Sequence, residues 1–183
     1  MIYYTVNNMI ELQFRRHSIQ GNNKHLSPAG VKLAKMQNED LFDLVITSPI
    51  QRAMETALCL GSAITETHEL LGFLPENVQS SIPFSAGFRA FQKAINTNKA
   101  VSECARIYRQ FILACVSDLK EPQRALFISH AGTVEMLILA CLPNLQCHHF
   151  PDSVSQLEGA SLTYDGLSFN LLKSIRVGPS SEI

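Results

Sequence analysis

The 183-residue sequence predicts an α/β fold, a three-layer α/β/α sandwich around a mostly parallel central sheet. Three observations carry that prediction. Three segments share one grammar: a strand-like run, a short turn bearing a basic residue, then a helix-like run. The composition is 46% hydrophobic, ample for a single packed core in one domain spanning residues 1–183. The chain also has no internal repeat and no low-complexity linker to divide it. Strands that alternate with helices give a parallel sheet covered on both faces. Such sheets place ligand sites outside the carboxyl ends of their strands.

The first unit is the strand Ile10–Phe14, ending in Arg15-Arg16-His17 and followed by a helix over Ser27–Asn38. Ser27 suits the N-cap and Pro28 the first helical position. The second is Leu44–Thr47, then Ser48-Pro49-Ile50-Gln51-Arg52 opening a helix that stops near Gly61. Ser48 and Gln51 have capping-box spacing, and Pro49 falls in the first turn. The third is Ala125–Ile128, then Ser129-His130-Ala131-Gly132 and an apolar helix over Thr133–Leu142, stopped by Pro143. Residues 70–85 read as loop, with Pro75 and Pro83. From 86 to 119 apolar residues recur at three- and four-residue steps, the mark of helix. Residues 70–119 thus form a small helical cap or insert. Gly159–Tyr164 and Ser168–Lys173, joined by Asp165-Gly166, read as a hairpin. The tail 177–183 is expected to fray.

Charge and cysteines exclude several function classes. Lys and Arg number 15 against 16 Asp and Glu, a net charge of −1, so there is no bulk basic field for nucleic acid or anionic lipid. Five scattered cysteines with no CxxC pair argue against a disulfide framework or a structural zinc site. No run of about 18 apolar residues offers a membrane span. The first residues lack the basic start of a secretory signal. A reduced, cytoplasmic protein with no membrane partner is expected. His148-His149 is an adjacent pair whose side chains diverge on an extended chain, so no metal site is expected there.

The chemistry lies in the basic turns. Arg52 falls in the opening turn of a helix, where the dipole disfavours a cation by about 0.3–1 kcal/mol. A guanidinium beside exposed amides makes sense when an anion sits between them. Alone, Arg52 reads equally well as a solvated side chain, and a lone His130 at a strand end as a satisfied core histidine. In β alternation Ile10, Leu12, Phe14 and Arg16 share one face and Glu11, Gln13 and Arg15 the other. Arg16 then faces the site and Arg15 solvent. Two Arg and two His at three strand ends suit a phosphoryl group of nearly two negative charges. A His beside an Arg can attack phosphorus as a neutral imidazole. The neighbouring guanidiniums would repel a metal cation.

These residues resemble the histidine phosphatase (phosphoglycerate mutase-like) superfamily. The resemblance rests on Arg16-His17, Leu26-Ser27-Pro28-Ala29-Gly30, Ser48-Pro49-Ile50-Gln51-Arg52-Ala53 with Glu55-Thr56-Ala57, and Ser129-His130-Ala131-Gly132. It implies a phosphatase without cofactor or metal, acting on phosphorylated small molecules or phosphoproteins through a phosphohistidine on His17. Arg16, Arg52 and His130 would grip the phosphoryl oxygens, Asn23 would contact phosphate, and Glu69 would donate the proton, with Glu66 and Glu76 as alternatives. Two departures stand out: Ser18 occupies the position after the nucleophile that is usually Gly, and the first strand carries the polar Glu11 and Gln13. A mutase is disfavoured by the short cap, and a nucleotide-using transferase by the lack of a GxxxxGK[ST] loop. The rival from another class is a non-catalytic phosphate-binding module.

Overall fold

The structure is a computed structural model that describes residues 9–38, 41–83, 87–120, 123–150 and 153–177. A six-stranded sheet runs through it in the order β3-β2-β4-β1-β5-β6. The strands are β1 (Ile10–Arg16), β2 (Leu44–Thr47), β3 (Glu66–Thr67), β4 (Arg124–Ser129), β5 (Gly159–Tyr164) and β6 (Phe169–Ile175). The first four are mutually parallel, and β5 and β6 form the antiparallel end. The α-helices among the described residues are α1 (Pro28–Met36), α2 (Gln51–Cys59), α3 (Glu76–Gln79), α4 (Gly87–Thr97), α5 (Lys99–Val116) and α6 (Thr133–Cys141). None of the described helices is long and apolar enough to cross a membrane.

Alternation along the strands builds two cores. Ala125 and Phe127 of β4, with Leu12 and Phe14 of β1, bury against Phe88, Phe91, Tyr108 and Ile112 of α4 and α5 and against the apolar residues of α6. Leu126 and Ile128 face the other way, onto Ala53 and Ala57 of α2. The piece read as a helical cap thus contributes α4 and α5 to the layer covering the first face. Asn98 divides them: its side chain accepts from the amides of Ala100 and Val101 and starts α5 afresh. Residues 70–85, read as loop, hold a 3₁₀ turn at Glu69–Leu71 and the single-turn helix α3. The short edge strand β3 is also new. Ser174 and Ile175 extend the second hairpin strand beyond Lys173. The start of α4 at 86 and the tail beyond 177 lie outside the described residues.

Two local expectations are corrected. Arg15 is 1% exposed, not solvated, because the face it shares with Leu126 and Ile128 is covered by α2; its Nε donates to Gln13 Oε1 at 3.0 Å. Gln13 in turn donates to Glu11, which also takes Ser161 Oγ and Arg124 Nε. Glu11, Gln13 and Arg15 of β1 are therefore linked in one chain of side-chain hydrogen bonds. The capping box at α2 does not form either. Ile50 is the N-cap, without a side-chain bond, and Gln51 donates to Glu55 instead.

Candidate active site

Because β1, β2 and β4 are parallel, their carboxyl ends open on one edge, and the chain leaving each carries a site residue. His17 follows β1, with its amide on Ser129 O at 2.9 Å; Ser48 follows β2, with its amide on Ile128 O at 2.9 Å. His130 follows β4. Arg52 enters from the first turn of α2, buried at 7% exposure. His17, Arg52 and His130, together with Arg16, Ile19, Gln20, Phe73, Ala131 and Gln156, line a cavity of about 360 Å³. A groove beside the end of α6, lined by Cys141, Pro143 and Phe169 among others, shares none of these residues.

The hydrogen bonds assign both imidazole tautomers. His17 Nδ1 lies 2.6 Å from Ser18 O, a carbonyl that only accepts, so Nδ1 carries the proton. Arg52 Nε donates to His17 Nε2 at 2.9 Å, which leaves the lone pair on Nε2. Arg52 Nη2 donates to His130 Nδ1 at 3.0 Å, so His130 bears its proton on Nε2 and donates it to Ser48 Oγ at 2.9 Å. One guanidinium thus ties the two rings together, their centroids 5.0 Å apart. Burial first, then the Arg52 and Arg16 charges, holds the His17 imidazole down to about 4. Burial, His17 and the same two charges push His130 down to about 3. Both rings are neutral at pH 7, and the cavity keeps the charge of its two guanidiniums.

Arg16 is held from behind. Its Nη1 donates to Val154 O at 2.9 Å, while its buried Nε has no partner among the described residues. Burial draws its pKa down, against the opposing pull of Glu135 and Glu158. Glu135, 1% exposed in α6, accepts from the amides of Gly132 at 2.7 Å and Val154 at 2.9 Å. It therefore joins the His130 loop to the peptide that anchors Arg16. Burial raises the Glu135 carboxyl above its ordinary range.

Ser18 resolves the first departure. Its backbone is not left-handed; among the described non-glycine residues only Leu157 has positive φ. Its hydroxyl donates to Gly30 O at 2.8 Å, and its amide to Thr56 Oγ1 at 3.0 Å. Thr56 Oγ1 donates to Arg52 O, so the Arg-to-Thr spacing of four carries a brace between α2 and the His17 loop. Glu55 adds a second brace, accepting from the amide of Leu26 at 2.7 Å and from His25.

The structure brings together Arg16, His17, Arg52 and His130. It does not bring in Asn23 or Glu69. Asn23 is exposed in the tight loop closed by the Gly21 amide on His25 O, and Gln20 lines the cavity instead. Glu69 is exposed in its 3₁₀ turn, and Glu66 and Glu76 are exposed as well. No carboxylate stands among the cavity's described lining residues. Sequence reasoning missed Phe73, Gln20, Gln156 and Glu135. The spacing Gly132-x-x-Glu135, that of a capping box, was the one signal that could have found the last.

No protein-family model and no curated protein matches the chain, but solved structures do. A phosphoserine phosphatase from Entamoeba histolytica, solved with 3-phosphoglyceric acid, is 18% identical, with a TM-score of 0.64 over 93% of this chain and 98% of that one. A mycobacterial glucosyl-3-phosphoglycerate phosphatase is 16% identical, with a TM-score of 0.58 over 92% of this chain and 100% of its own. That protein in complex with VO3 gives 18% identity and a TM-score of 0.60 over 88% and 96%. At such identities the likeness is one of fold alone, the phosphoglycerate mutase-like α/β fold of these neighbours.

Proposed function

We propose that the protein is a phosphatase that transfers a phosphoryl group from its substrate to His17 Nε2 and then to water. The observation that carries this reading is the lone pair on Nε2, fixed by the Nδ1 bond to Ser18 O and set in a cavity with two guanidiniums. A phosphoryl dianion placed there takes N–H bonds from Arg16 and Arg52, including the Arg52 N–H that now rests on Nε2. Nε2 attacks phosphorus, the bond to the leaving oxygen breaks, and its electron pair departs with that oxygen. Water then attacks the phosphohistidine, releasing inorganic phosphate and restoring the imidazole. The solved phosphatases that share the fold support the reaction class.

The test is to trap the phosphoenzyme from a labelled phosphate ester and map the label. It is expected on His17 and absent from His17→Ala; a label elsewhere overturns the mechanism. Glu69 remains the candidate proton donor from the family resemblance. Glu69→Gln that lowers alkyl phosphate turnover by about 100-fold or more assigns it that role, and unchanged turnover removes it. The cavity lining, with no carboxylate among its described residues, favours one second reading, a phosphate-binding module. Turnover of an aryl phosphate at one background rate by wild type and His17→Ala would select that reading.

A further inference from the structure

The geometry points to Phe73 as a specificity residue, a fixed platform at the cavity mouth that selects phosphate borne on an aromatic ring. This inference rests on the phosphate-site reading and names the substrate class of the same site. Phe73 is 60% exposed and belongs to none of the buried clusters, so packing does not account for its position. Its ring centroid lies 4.7 Å from that of His130, at an interplanar angle of 38°, and the Arg52 guanidinium carbon lies 5.6 Å from it.

The backbone beneath the ring is pinned. Ser129 Oγ donates to Leu71 O at 2.7 Å and Thr133 Oγ1 donates to Gly72 O at 2.8 Å, both buried. These bonds tie the Phe73 turn to the two ends of the segment that carries His130. Platform and phosphate-gripping residues are thus parts of one rigid unit, and ordering the ring on binding costs little. A phosphate held by Arg16 and Arg52 leaves its substituent at the mouth, beside a ring with most of its surface open. An alkyl substituent covers that surface poorly. An aromatic one can take an offset or edge-to-face contact, which aromatic pairs favour beyond simple burial.

Non-hydrolysable phosphonates read this directly, because no leaving-group reactivity enters. Wild type is expected to bind phenylphosphonate about 3- to 10-fold more tightly than methylphosphonate, as competitors of phosphate ester turnover or by calorimetry. Phe73→Ala should bring that ratio close to one, and Phe73→Tyr should preserve it. A wild-type ratio near one, or a phenyl preference that survives in Phe73→Ala, overturns the proposal while methylphosphonate and inorganic phosphate still bind. Failure of wild type to bind any of the three overturns the phosphate-site reading and this proposal with it.

Discussion

Arg52 does two things with one side chain: its Nε presents an N–H to His17 Nε2, and its Nη2 presents another to His130 Nδ1. A lysine keeps the charge but not the planar fork that makes both bonds at once. Arg52→Lys should therefore lower kcat/KM by about 100-fold, the size seen when one preorganised donor is lost, with an unchanged circular dichroism spectrum. The imidazoles provide a second check. His17 and His130 should titrate near 4 and 3 by NMR, well under the ordinary 6.5, because burial and the guanidiniums disfavour their cations. Since Nε2 is then free of a proton across the neutral range, His17 should give no acid limb near pH 6.5 in kcat/KM. At this scale the basic turns were legible in the sequence, since residue type and strand ends were enough to gather Arg16, His17, Arg52 and His130. Arg15 was not legible. Alternation put it on the correct face, but in a three-layer fold the opposite face is buried too, so pointing away from the site does not mean pointing to water.

Between elements, the decisive contact is Thr56 Oγ1, which accepts the Ser18 amide while donating to Arg52 O. Thr56→Val leaves the buried Ser18 N–H without its acceptor and should cost about 1–3 kcal/mol in urea unfolding, whereas Thr56→Ser should recover most of it. Helix packing sets a sharper constraint at Gly30, where an added Cβ would stand 2.2 Å from Ile19 O. Gly30→Ala must push α1 off the loop that leaves His17 and break the Ser18 Oγ bond to Gly30 O. It should unfold at lower urea and lose turnover together, and a variant with wild-type stability would show that α1 is not seated as described. The motif spacing in α2 and the Ser27 cap of α1 were readable because capping and helical periodicity are local. The Ser48–Gln51 box failed because a tertiary partner intervened: His130 Nε2 donates to Ser48 Oγ, and Gln51 turns to Glu55. Nor could local rules place Glu69 or Phe73, whose turn is positioned by Ser129 and Thr133, about sixty residues downstream.

For the molecule as a whole, the parallel order of β1, β2 and β4 is what gathers two guanidiniums and two imidazoles at one sheet edge. That order was legible from three repeated strand-turn-helix units, whereas residues 70–119 carried helical periodicity but nothing to say which layer they join. Gathering the cations has a thermodynamic consequence. Two imidazoles with folded-state pKa values near 4 and 3 bind protons less readily than they do unfolded, at about 6.5. The unfolded state therefore takes up more protons on acidification, and stability should fall as pH drops from about 6.5 through 4. Above 6.5 these groups contribute no slope. His17→Asn should flatten part of that decline. An anion that binds the folded cavity and not the unfolded chain opposes the loss: at about 100 times its dissociation constant, inorganic phosphate should add about 2.7 kcal/mol. For a domain of this size that is a rise in Tm of roughly 5–10 °C at pH 7. Arg16→Ala and Arg52→Ala should each remove most of the rise, and an equal rise in both variants would mean that phosphate stabilises the protein from somewhere other than this edge of the sheet.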